Sequence, residues 1–141
     1  MTDERFDETP WGEDEWEHLR MEMKKVFPDR DPIDLPISHP VFHCFYEMKE
    51  KPQVPNVGLG IESLNPASPY FGQTWERPDA REAHYRGLID DEGRLMVVFC
   101  HNTDLGDGWE RGGADEGYYR EFSLKRAYPM GINIVVYALT H

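Results

Sequence analysis

The chain has 141 residues, the length of one ordinary domain or of part of a larger one. Asp and Glu number 27 against 15 Lys and Arg, a net charge of −12. Such a balance makes a poor nucleic-acid binder, whose affinity comes mainly from neutralising phosphates, and disfavours an anionic membrane surface. Hydrophobic residues make up 39% and aromatics 13%, enough for a core, so the expectation is a soluble, folded α/β or α+β domain.

The longest apolar runs, residues 95–100 and 134–139, fall far short of the ~20 residues that cross a bilayer. The start, Met1-Thr2-Asp3-Glu4-Arg5, has no apolar stretch of the signal-peptide kind, which reads as a cytoplasmic chain as it stands. Cys44 and Cys100 each sit in an apolar stretch and read as buried free thiols; there is no C-x-x-C pair.

Residues 1–22 are strongly acidic. Thr9-Pro10 has the form of a helix entry, an N-cap oxygen followed by proline at the first helical position. Trp16, Leu19, Met23 and Val26 then recur at three- and four-residue steps, which predicts an amphipathic helix over 13–27. Glu13, Asp14 and Glu15 fall in its first turn and Lys24 and Lys25 in its last, as the helix dipole favours, and Pro28 ends it. The acidic cluster is therefore a solvated helix start rather than a metal site. Residues 31–35 suit a short strand, and Ser38-His39-Pro40 opens a short helix or helical turn over 41–46. Residues 50–82, rich in Pro and Gly, read as a long surface excursion that includes a strand near 57–61.

The clearest pattern is a strand pair, 84–89 and 94–100, flanking the turn signal Asp90-Asp91-Glu92-Gly93. The continuous apolar run 95–100 suits a strand buried on both faces. Residues 111–127 read as an acidic and aromatic connector. From about Tyr128-Pro129, the spacing of Ile132, Val135, Val136 and Leu139 predicts a buried helix, although the β-branched composition also suits a strand.

Four ordered motifs carry a family resemblance. They are Trp11-Gly12-Glu13-Asp14; Leu35-Pro36-Ile37-Ser38-His39-Pro40-Val41-Phe42-His43; Asn102-Thr103-Asp104-Leu105-Gly106-Asp107-Gly108-Trp109-Glu110; and Met130-Gly131-Ile132-Asn133-Ile134-Val135-Val136-Tyr137-Ala138-Leu139-Thr140. Together the chain from about Pro10 onward resembles a bacterial family, domain of unknown function 4159. The resemblance implies an α/β fold of the class I glutamine amidotransferase-like, flavodoxin-like kind, a parallel sheet between helices. Family members usually carry about as many residues again before the matched region, which would supply the first strands, and often appear exported. The resemblance therefore implies that residues 1–141 are the C-terminal part of such a domain, a naturally short member or the product of a mis-started reading frame. A sheet without those strands has an open edge, an association hazard that dimerisation would answer. The tight strand-to-helix turn that holds the cysteine nucleophile of amidotransferases has no counterpart at Cys44 or Cys100.

Polar, glycine-bearing residues at the end of a strand are where α/β proteins place their sites, so residues 101–110 are the best candidate. His101 with Asp104, Asp107 or Glu110 offers a general acid–base pair, and the three carboxylates step by three residues as hard-cation ligands would. The competing reading is structural: Asp and Asn side chains cap backbone amides, and Trp109 covers the core. His39 and His43 lie four apart, as zinc pairs do, but Pro40 biases His39 away from helix and no third ligand follows. No dinucleotide, Walker A or G-x-S-x-G fingerprint is present, so no cofactor or metal is implied. Three functions follow: a non-enzymatic binding or interaction domain for a protein partner or small ligand; a hydrolase-like enzyme on a sugar, amide or ester; or a part of a domain without independent activity.

Overall fold

The computed structural model describes residues 11–141, so the helix entry at Thr9-Pro10 and the acids before it lie outside the described residues. Helix α1 spans Trp11–Val26 with the acid-first, base-last order that its sequence predicts. The predicted apolar stripe is only partly used. Trp16 is buried, whereas Leu19 and Val26 face solvent, Val26 at 65% exposure. The helix therefore docks through one aromatic, and its far end is tied to the following loop by ion pairs of Arg20 and Lys24 with Asp31.

The sheet has three strands in the order β1 (Ile33–Asp34), β2 (His84–Ile89), β3 (Leu95–His101). Both pairings are antiparallel. The parallel sheet implied by the family resemblance is thus not what the described strands form. The hairpin between β2 and β3 follows the sequence signal closely. Gly93 takes φ +84°, which a side chain would resist, and the Asp90 carboxylate accepts from the Glu92 and Arg94 amides at 2.9 and 2.8 Å. β3 is an edge strand and is not buried on both faces. Most of it is half-buried, and Met96 is exposed. Its apolar run arises because Leu95, Val98 and Cys100 pack on the main core while Phe99 meets Trp16 of α1 edge-on at 5.5 Å.

The piece after His39-Pro40 is a single 3₁₀ turn, Pro40–Phe42. Residues 57–61, expected as a strand, belong to helix α2 (Val57–Ser63). β-branched Val57 and Ile61 suggest a strand, but Asn56 is an N-cap whose side chain accepts from the Leu59 amide at 3.0 Å. Gly60 lets α2 approach closely, since a Cβ there would lie 2.4 Å from the Tyr118 ring.

The predicted connector over 111–127 is helical. Helix α3 spans Leu105–Glu110, a 3₁₀ turn covers Gly112–Ala114, and α4 spans Glu116–Tyr118 with Asp115 capping it. A π-helical stretch, Tyr119–Ala127, then runs into α5, Tyr128–Thr140, with backbone angles helical at both junctions. Pro129, which has no N–H to donate, falls in the first turn of α5, just after the widened stretch.

α5 is a helix as predicted, but the face it buries differs. Met130, Asn133 and Tyr137 point inward, while Val135 and Leu139 are 58% and 79% exposed. The reason is Asn133, whose fully buried side chain accepts from the Tyr46 amide at 2.7 Å and donates to the Tyr46 carbonyl at 2.8 Å. That reciprocal pair ties α5 to the segment after the 3₁₀ turn. The core collects Leu35, Val41, Phe42, Tyr85, Tyr118, Phe122 and Met130. Two buried phenols hold the Pro-rich segment against it, with Tyr85 donating to the Pro52 carbonyl at 2.6 Å and Tyr118 to that of Pro55 at 2.8 Å. Among the described residues, no helix is long and apolar enough to cross a membrane.

Candidate functional site

The chain leaves β3 through Asn102, the one non-glycine residue with positive φ (60°) among the described residues. Asn tolerates this left-handed position, and its side chain donates to the Glu82 carbonyl at 3.0 Å. The Thr103 hydroxyl accepts from the Val54 amide at 2.9 Å. Asp104 then caps α3. Its Oδ1 accepts from the Asp107 amide at 2.8 Å, and its own amide donates to the Val54 carbonyl at 2.7 Å. Asp107 reaches across to α2, where Oδ2 accepts from the Val57 amide at 2.9 Å. Glu110 is exposed at the last position of α3. The three carboxylates therefore do not converge. Two of them hold backbone in place and the third points into solvent-exposed surface. Trp109 is 46% exposed and covers only the rim of the core, donating from Nε1 to the Ala127 carbonyl at 2.8 Å.

His101 is positioned by residues that no motif singled out. Its ring stacks with Trp16 and with His84, each at 6.0 Å between centroids. Arg86 lies on the neighbouring strand, and its Nη1 donates to His101 Nδ1 at 2.9 Å. The same guanidinium donates from Nε to Asp34 on β1 at 3.1 Å and lies 4.4 Å from the centre of the Trp16 ring. The Arg86 side chain is only 12% exposed, so its charge is balanced by a carboxylate, an imidazole lone pair and an aromatic face rather than by water. A guanidinium carries donors only. His101 Nδ1 must therefore accept, which leaves the ring proton on Nε2. Hairpin geometry held the one sequence clue: His84 and Arg86 alternate on β2, opposite His101 and Phe99 of β3.

A cleft of about 280 Å³ opens beside this loop, lined by His101, Asn102, Thr103 and Asp104 together with Glu76 and Arg77. Glu76 is itself engaged, accepting from the Asn56 amide at 2.7 Å. A second hollow of about 380 Å³ lies between Trp16 and Leu19 of α1 and the outer face of β3.

The other candidates are also occupied. His39 Nδ1 accepts from the Val41 amide at 3.1 Å and caps the 3₁₀ turn, while His43 contacts Glu47 and the Ile37 carbonyl. No group of three or more His, Cys, Asp or Glu among the described residues is arranged to hold a metal ion. Both cysteines are free. Burial pushes the Cys100 thiol up to about 12, away from the nucleophilic thiolate, and the Cys44 thiol donates to the Asn133 carbonyl at 3.1 Å. The Tyr118 phenol is raised well above its ordinary value by burial and then by the nearby charges of Asp107, Asp104 and Glu76, which suits a fixed hydrogen-bond donor.

Searches among curated proteins and among solved structures each returned no match. The family model Domain of unknown function (DUF4159) matches residues 2–139, and the chain belongs to that family.

Proposed function

We propose that this chain is a non-enzymatic binding domain rather than a hydrolase. One contact carries the reading, the donation from Arg86 to His101 Nδ1 at 2.9 Å. A hydrolytic histidine needs an acceptor, usually a carboxylate, on one ring nitrogen so that the other is basic enough to take a proton from the nucleophile. Here the partner is a donor. It draws on the lone pair and leaves Nε2 carrying the proton, suited to donating a hydrogen bond and unsuited to base catalysis. The use of Asp104 and Asp107 as backbone acceptors supports the same view. The amidotransferase-like scaffold implied by the family resemblance would need parallel strands. The three described strands pair antiparallel, so the proposal rests on the site alone.

The alternative, hydrolysis of a sugar, amide or ester in the cleft beside His101, is tested directly. The chain and its His101→Ala and Asp104→Asn variants are assayed against chromogenic esters, anilides and glycosides. The expected result is no turnover above buffer. Turnover that is lost in both variants would overturn the proposal, because Asn preserves the helix cap and removes only the carboxylate.

A further inference from the structure

The cations of this acidic chain are distributed unevenly. Almost every Lys and Arg among the described residues has a carboxylate within ion-pair distance. The exceptions are Lys49, Lys51, Arg81 and Arg94. Three of those four line one cleft of about 500 Å³, whose lining residues are distinct from those of the cleft beside His101, although Gln53 of its wall donates to the Asn102 carbonyl at 3.0 Å. Lys49 and Lys51 come from one short segment and Arg81 from another, 30 residues on, so the fold brings the third cation to the other two. Glu50 and Glu82 also line the cleft, yet neither forms an ion pair with these cations.

The cleft is held in shape. The Gln53 side chain donates to the Ala80 and Arg81 carbonyls at 3.1 and 3.2 Å and accepts from the Thr74 hydroxyl at 2.7 Å. The Arg81 guanidinium lies 5.3 Å from the centre of the Trp75 ring, which restrains it without consuming its charge. Arg126 adds a fourth cation to the wall, fixed by the Gln53 carbonyl at 2.9 Å and by Glu121 at 3.0 Å. A restrained guanidinium such as that of Arg81 loses little freedom on binding, and a cleft of this volume is the size of a small-molecule site.

We propose that this cleft binds a small, multiply charged oxyanion through Lys49, Lys51 and Arg81. Phosphate and carboxylate groups share the chemistry these donors recognise. The inference does not depend on whether the His101 loop is catalytically inert, so the two proposals fail separately.

The test is calorimetric titration at low ionic strength with two probes, pyrophosphate and citrate, on the chain and on its Lys51→Gln, Arg81→Gln and Arg94→Gln variants. Among the described residues, Arg94 is the cation outside the cleft that has no carboxylate within ion-pair distance, and it serves as the control for diffuse attraction. At least one probe is expected to bind, more weakly as salt is added. Lys51→Gln and Arg81→Gln should each raise Kd by about five-fold or more, and Arg94→Gln by less than about two-fold. Binding of pyrophosphate alone would identify a phosphate-bearing ligand, and of citrate alone a polycarboxylate. Binding of neither probe, or an equal loss in Arg94→Gln, would overturn the proposal. Denaturant unfolding of each variant checks that the fold is intact, which exposed Arg81 favours.

Discussion

Asp104 separates a structural from a chemical reading of the loop most cleanly. Its carboxylate accepts one hydrogen bond, from the Asp107 amide at 2.8 Å, in the N-cap position of α3. Asp104→Ala removes that acceptor and leaves a half-buried amide without its partner. Loss of an N-cap costs about 1 kcal/mol, which for a chain of this length is a fall of about 4 °C in Tm. Asp104→Asn keeps an acceptor of the same reach. It forfeits only the favourable charge at the start of a short helix, a few tenths of a kcal/mol. The assay is urea unfolding followed by Trp fluorescence, in which a change of midpoint at constant slope reports stability alone. The expected order is wild type, then Asn close beside it, then Ala clearly below. If Asn were as destabilised as Ala, or if Ala matched the wild type, the capping role assigned to Asp104 would be wrong.

Three further outcomes follow from the same structure. Asn133→Leu removes both bonds to Tyr46 and strands its backbone N–H and C=O, at a cost of about 3 kcal/mol; an unfolding shift under about 1 kcal/mol would refute the clamp. His39 is held below its ordinary value by burial and then by the charge of His141, and its neutral ring caps the 3₁₀ turn. A base with a depressed folded value contributes stability above its unfolded value, about 6.5, and that contribution is lost as pH falls through the folded value. Urea midpoints should therefore drop from neutral to mildly acidic pH, and His39→Asn, which caps without titrating, should drop less; equal slopes would refute the assignment. The Cys100 thiol, pushed up to about 12 by burial, should resist iodoacetamide at about pH 8 in the native chain and react on unfolding. Peptide mass spectrometry reads this, and rapid native labelling would contradict it.

What was legible in the sequence was local. α1 and α5 announced themselves through three- and four-residue spacing, and the β2–β3 hairpin through an Asp-rich turn ending in glycine, because those signals depend on neighbours a few residues apart. α2 and the helices over 105–127 were misread where β-branched and glycine residues outweighed single capping residues such as Asn56 and Asp115. At the candidate site the sequence named His101 and three carboxylates, yet it could not say where their hydrogen bonds go. Asp104 and Asp107 bond backbone, and His101 is governed by Arg86.

By itself, then, the sequence determined the acidic charge balance, the family, the hairpin and the two long helices. Tertiary structure alone decided the antiparallel sheet order, the face of α5 that is buried, the donor on His101 and the gathering of unpaired cations in one cleft. The physical reason is separation along the chain. Arg86 meets Asp34 across 52 residues and Asn133 meets Tyr46 across 87, and no local spacing or propensity encodes a partner that far away.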